Sequence, residues 1–287
     1  MVETSGCTEA LEPRVLLSSV ARTGSTLRVY GDAGVDNVIT VGLDSTKKTI
    51  VVTVNGQTTP IERSGTGNVR IFGDSGNDRI TIDSSQASFD VQVSVFGGAG
   101  DERIRCGDER DYVEAGDGND RVSLGGGRNF GFGEAGDDVI DGGPQRDFIS
   151  GGGGQDLISG GGDRDQLQGD NQNDTIYGDQ SDGGNADGDG SDLIWGGRGD
   201  DVIFGQGAKD VIFGQDGNDV IDGGNDRDEI FGMAGDDTIT GGGEADTIWG
   251  GSGVDHLSGG GGGSEFHDGE YKLIDEFMKV IQPNVSL

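Results

Sequence analysis

The chain has little of what an ordinary globular core or a catalytic centre is built from. Of its 287 residues, 31% are hydrophobic and 6% aromatic, with two histidines, two cysteines and four prolines. A conventional core is not expected from so few apolar residues. Cys7 and Cys106 are far apart, and Cys106 sits in a Gly-rich region, so no disulfide framework is supported. No apolar run approaches the roughly 18 residues of a membrane-spanning helix. The N-terminus lacks a basic flank followed by an apolar stretch, so any export must use another signal. Positive charge is scarce too: 20 Lys and Arg stand against 53 Asp and Glu, a net charge of −33. Nucleic acid and anionic membranes are therefore poor partners, and self-repulsion opposes any compact state unless cations are bound.

What the chain has instead is glycine, 60 residues of it, arranged with a period. The stretch DDVIFGQGAKDVIFGQDGNDVIDGG, residues 200 to 224, says nearly the same thing three times at nine-residue intervals. A frame of nine that starts at Gly97 reaches His267 without a shift, giving 19 units, and a fixed period of this kind marks a solenoid. The sixth position is Asp in 15 units: Asp111, Asp120, Asp138, Asp147, Asp156, Asp165, Asp174, Asp192, Asp201, Asp210, Asp219, Asp228, Asp237, Asp246 and Asp255. Glu102, Asn129, Gly183 and Ser264 are the exceptions. The eighth position is hydrophobic except at Gly131 and Asn185, so one inward side chain per unit is expected to form the core.

The Gly-rich half of each unit can take the positive φ values of a tight turn, and the other half reads as a short strand. Two units then make one flattened coil, and coils stack about 4.8 Å apart as parallel strands. Turn carboxylates on one side would form columns of like charge. A hard dication relieves this, because Ca²⁺ takes six to eight oxygen ligands and the turns offer backbone carbonyls beside the aspartates. Units such as GGRGDDVIF, GMAGDDTIT and GGSGVDHLS closely resemble the repeats-in-toxin (RTX, hemolysin-type) calcium-binding nonapeptide, G-G-x-G-x-D-x-U-x. The resemblance implies an all-β fold, a right-handed parallel β-roll, in which the sixth-position aspartates and turn carbonyls of neighbouring coils share multiple Ca²⁺ ions.

A finer pattern runs inside the repeat. The fourth position tends to alternate, with Gly100, Gly118, Gly136 and Gly154, then Gly199, Gly217, Gly235 and Gly253, offset by nine from residues such as Glu109, Gln145, Ala208 and Asp226. One edge of the roll is thus expected to carry full turns that bind Ca²⁺ more tightly, and the other degenerate ones. The phase slips by nine between residues 172 and 199, which predicts about nine residues looped out near 179–190. Asn185, Asp187, Asp189 and Gly190 there have the spacing that opens an EF-hand loop, although the twelfth position is Gly196 rather than Glu.

The rest of the chain divides around the repeat region, 97–267. Residues 1–24 are expected to be disordered and include ALEPRVLLS (10–18), similar to the LEPR-XLL segment of large secreted bacterial proteins. Residues 25–96 alternate with period two and read as an irregular β lead-in. It contains two isolated units, GDAGVDNVI and GDSGNDRIT, with Asp36 and Asp78 at position six. Residues 268–287 leave the Gly-rich frame and read as an end cap or a secretion signal.

No metalloprotease helix motif, nucleophile elbow or P-loop is present, and GDSG at 73–76 falls on a repeat turn, so no enzyme is expected. One outward feature stands apart. Trp195, Phe213, Phe231 and Trp249 occupy position nine at intervals of 18 and should stack in one file on one face. Such a file binds sugars or a partner protein when exposed, or simply stabilises the sheet. The sequence therefore points to a secreted or cell-surface bacterial protein that folds on binding Ca²⁺ and acts as a structural or adhesive module. A cell-surface glycan- or protein-binding module, or an accessory chain of a larger RTX toxin or enzyme, is the alternative.

Overall fold

The computed structural model describes residues 20–84, 91–180 and 189–267, and every regular element among them is a β-strand. The strands form two sheets of 13, and the chain alternates between them. From Asn68 onward each strand hydrogen-bonds in parallel to the strand of the same sheet one coil earlier and one coil later. Tyr112 pairs with Phe130 and Phe130 with Phe148, a step of 18 residues. Two nonapeptides thus make one coil.

Local sequence explains the coil. Positions seven to nine carry β-branched and aromatic residues and form strands such as Val202–Phe204 and Thr175–Tyr177. On the first sheet the strand continues into the next unit's glycines, as in Tyr112–Asp117 and Val211–Asp216, before the turn begins. Position eight points inward on both sheets. Ile149, Leu167 and Ile194 from one sheet and Ile140, Ile158 and Ile176 from the other are 0 to 1% exposed and form one continuous core.

Gly131, which lacks the position-eight side chain, shows how the core is kept full. A Cβ built there would meet the Leu124 side chain at 2.9 Å, so Leu124, standing where the repeat wants Gly, fills the space that Gly131 leaves. Two departures from the repeat cancel inside one coil.

The N-terminal end of the stack is closed by antiparallel strands. Val20–Thr23 flanks the first sheet. On the second, Thr49–Val54 and Gln57–Glu62 extend the edge, with Pro60 in the outermost strand, where no ladder donor is needed. Farther along, Gln166 pairs with Leu193 and Thr175 with Val202, a step of 27, whereas the coils on either side step by 18. The extra nine residues lie between Gly178, which sits against the Asp192 Oδ2, and Asp192 itself. Asn185 and Asp187 of the EF-hand-like spacing, the 10–18 segment and the 268–287 segment lie outside the described residues.

Candidate metal centre

Each turn is organised around its sixth residue. Asp120, Asp138, Asp156, Asp174, Asp201, Asp219 and Asp237 on one edge are at most 2% exposed, as are Asp165, Asp192, Asp210, Asp228 and Asp246 on the other, with Asp147 at 3%. One carboxylate oxygen has a fixed structural task. The Asp138 Oδ1 accepts the amide N–H of Asp120 at 2.7 Å, and the Asp156 Oδ1 accepts that of Asp138 at 2.8 Å. The opposite edge repeats this, Asp165 accepting from Asp147 and Asp210 from Asp192. Side chains thus continue the coil-to-coil ladder through the turns, where the strands have ended.

The other oxygen has no such task. The Oδ2 atoms of Asp78, Asp120, Asp138, Asp147, Asp156, Asp165, Asp174, Asp192, Asp201, Asp210, Asp219, Asp228 and Asp237 are buried without a hydrogen-bond partner. They face acceptors. A Cβ built on Gly205 would lie 2.6 Å from the Asp210 Oδ2 and 2.5 Å from the Gly223 carbonyl oxygen of the next coil. A buried carboxylate oxygen beside a carbonyl oxygen is costly unless a positive charge joins them.

The turns that lack Asp show what that space asks for. Asn129 occupies position six and turns its amide nitrogen to the carbonyls of Leu124, Gly126 and Gly127 at 3.5, 3.2 and 3.4 Å. Asn37 donates to the carbonyls of Asp32, Val35 and Gly73 at 3.2, 2.8 and 3.3 Å. The Ser264 hydroxyl donates to the Gly259 carbonyl at 2.9 Å. An amide or hydroxyl supplies its own hydrogen to the carbonyl ring; a carboxylate cannot. The donor set of one carboxylate oxygen with turn carbonyls is hard and all-oxygen, which fits Ca²⁺. Among the described residues no three His, Cys, Asp or Glu side chains converge, so the backbone must supply much of each ligand shell.

Burial leaves its mark on the carboxyls. Desolvation pushes Asp138, Asp147, Asp219 and Asp228 up to about 7, Asp174 to about 8, Asp165 to about 9 and Asp210 to about 10, partly offset by the ladder amides. A dication reverses this preference by favouring the ionised form.

The RTX calcium-binding nonapeptide repeat matches the chain at residues 63–83, 96–131, 125–158, 132–167, 159–182, 186–212, 204–239 and 231–264, more than half of its length. The chain belongs to this family. No curated protein matches it. It is a calcium-binding RTX repeat protein, an all-β roll whose repeats take multiple Ca²⁺ ions.

The two edges of the RTX roll differ in backbone as well as sequence. On one, Gly100, Gly118, Gly136, Gly154, Gly199, Gly217, Gly235 and Gly253 have φ of 130 to 141°, a region in practice limited to glycine. On the other, Asp163, Ala208 and Asp226 have φ of 64 to 70°, left-handed helical values that a side chain tolerates at modest strain. The alternation at position four follows from this. The all-glycine edge also carries a second ladder: the Asn77 Oδ1 accepts from the Asp101 amide, Asp101 from Asn119 and Asn119 from Asp137, at 2.8 to 3.0 Å. Alternating Asp with Asn keeps like charges from stacking directly; Asn173, Asp200, Asn218 and Asp236 repeat the device.

The sequence frame misplaced one residue. Asp36 is exposed, and Asn37 takes the buried position, its amide donating to the Asp78 Oδ1 at 2.6 Å. The turn from Gly31 to Asn37 is one residue longer than the turn from Gly73 to Asp78, which moves Asp36 to the outer ladder, where it accepts from the Asn77 amide. Asp111 is buried but accepts from Val93 and Gly107 with its two oxygens, and the Asp246 Oδ2 meets the Ser264 hydroxyl. Asp255, on the last turn of its edge, is half-buried.

The aromatic file is stacked as its spacing implied, with centroids 6.2 Å apart for Trp195 and Phe213, 4.9 Å for Phe213 and Phe231, and 4.3 Å for Phe231 and Trp249. His267 extends it at 4.9 Å. It is not an open surface: Trp195, Phe213 and Phe231 are 4, 0 and 7% exposed, packed with Leu193, Val211 and Met233. Sequence reasoning missed a different outward feature, a column of arginines at position five of the degenerate edge, although an 18-residue count of cations would have found it.

Proposed function

We propose that this RTX protein is a structural or adhesive module of the bacterial exterior, secreted or held at the cell surface, whose folding is switched by Ca²⁺. The observation that carries the reading is the row of buried Oδ2 atoms without partners, in the turn position where the Asn129 amide instead meets three carbonyls. In low cytosolic Ca²⁺ the acidic chain stays extended and exportable. In millimolar external Ca²⁺ the turns close on their ions and the coils stack, because binding free energy becomes folding free energy.

Catalysis is not part of this reading. Ser75, the serine of GDSG, accepts the Gly34 amide at 2.8 Å, and His267 is stacked on Trp249. The buried state of the Trp195 file favours a structural role for it over a ligand-binding one. Small-angle scattering and native mass spectrometry, with and without Ca²⁺, test the switch. The reading requires compaction together with retention of several ions per chain. Localisation is tested separately by fractionating the source cells: confinement to the cytoplasm would overturn the exterior assignment and leave the switch standing.

A further inference from the structure

Three successive coils carry Arg, a buried Asp or Asn, and an aromatic residue at the same place: Arg110-Asp111-Tyr112, Arg128-Asn129-Phe130 and Arg146-Asp147-Phe148. The middle residue points inward and is at most 3% exposed. The arginine before it and the aromatic residue after it share one cleft on the outer side. The strand registers align Tyr112 with Phe130 and Phe130 with Phe148, so the arginines stand one coil, about 4.8 Å, apart along the backbone.

These side chains line a cleft of about 660 Å³ on the outer face of the first sheet. Phe130 and Phe148 have centroids 6.1 Å apart, and Phe132 lies 5.7 Å from Phe148, so the floor is a set of tilted rings. Unlike the Trp195 file, these rings are only half-buried. The Arg110 guanidinium lies 5.0 Å from the Phe130 centroid. Among the described residues none of Arg110, Arg128 and Arg146 forms an ion pair, whereas Lys209 and Arg227, farther along the same edge, pair with Glu229 and Glu244. Unpaired arginines also stack on the second sheet, Arg79 with Arg103 and Arg103 with Arg121; the file here is set apart by the aromatic floor beside it.

We propose that this cleft binds a short acidic saccharide, one whose rings carry carboxylates. The rings of the floor offer flat apolar faces to the C–H face of a sugar. The guanidinium forks offer bidentate bonds to carboxylates at coil spacing. Gln92 and Gln166 at the ends of the cleft are suited to hydroxyl groups. The cleft has the volume of a small-ligand site rather than a broad protein-docking face. Glu114 and Glu134 also line the cleft, past the rings from the arginines, so the positive charge runs along one side of the floor, where it favours a short anion; the acidic surface beyond repels a long polyanion.

Isothermal titration calorimetry on the full calcium-loaded chain tests this, with a hyaluronan tetrasaccharide as the acidic probe and chitotetraose as its neutral counterpart. Circular dichroism of the same samples separates failure to bind from failure to fold. The acidic probe should bind about tenfold or more tightly than the neutral one, and added NaCl should weaken it. Arg128→Gln with Arg146→Gln should reduce affinity by about tenfold or more, while Arg227→Gln leaves it unchanged. Absence of binding by the folded chain, equal binding of the two probes, or full affinity in the folded double variant would overturn the proposal. If the double variant does not fold, the wild-type comparison of acidic with neutral probe and its salt dependence decide.

Discussion

At the residue scale, every turn depends on which atom fills the space beside the position-six side chain. Asp219→Asn makes this testable, because an amide can donate to the turn carbonyls as Asn129 does. The substitution should raise the stability of the chain in chelator and weaken Ca²⁺ binding at that turn, opposite effects read by thermal unfolding and by calcium titration. The position-four glycines are a second residue-scale constraint. Gly217 has φ of 141°, and an added Cβ would overlap the Gly199 carbonyl oxygen. Gly217→Ala should cost about 1–3 kcal/mol in the calcium-loaded state, whereas Ala208→Gly, at φ of 66°, should change it by a few tenths, both measured by denaturant unfolding. The inward Asp and aliphatic positions were legible in the sequence because each recurs every nine residues. Asp36 was misplaced because a turn lengthened by one residue is invisible to a fixed frame. The absence of an Asp at residue 129 had no explanation until the amide was seen holding three carbonyls.

At the scale of the element, the coil of 27 residues is a complete coil with nine residues inserted in one turn. Removing residues 180–188 leaves GDDGSDLIW, a full nonapeptide that joins Gly178 to Asp192 in six residues. The excised chain should fold with Ca²⁺ and gain about 1 kcal/mol from the shorter closure, seen as a higher unfolding midpoint. Loss of folding would mean that the insert is part of the structure rather than an excursion from it. The stacking of Trp195, Phe213, Phe231 and Trp249 was legible from their 18-residue interval. The burial of the first three was not, since a local repeat specifies which residues share a face but not what packs over it. Tyr112, Phe130 and Phe148 were overlooked because they sit at position seven rather than nine, and only the register puts them beside Phe132 in one cleft.

For the whole molecule, the governing quantity is a net charge of −33 on a roll whose turns bury carboxylates in columns. Desolvation raises these carboxyls in the fold to about 6 at Asp156 and Asp201, about 7 at Asp138 and Asp219 and higher at Asp165 and Asp210. A carboxyl whose folded value is raised contributes stability that is fully present below its unfolded value, near 4, and is lost as the pH climbs through the folded value. In chelator the chain should therefore gain β-structure between pH 7 and pH 4, as protons replace the missing cation charge. With Ca²⁺ bound the carboxylates are held ionised, and acidification through the same interval should instead release calcium. The most direct measurement is circular dichroism of the chelated chain at pH 7, titrated with Ca²⁺ beside a Mg²⁺ control. The account predicts a sharp transition from coil to β with Ca²⁺ and none with Mg²⁺. A full β spectrum already present in chelator would contradict it, because the buried Oδ2 atoms would then be tolerated without an ion.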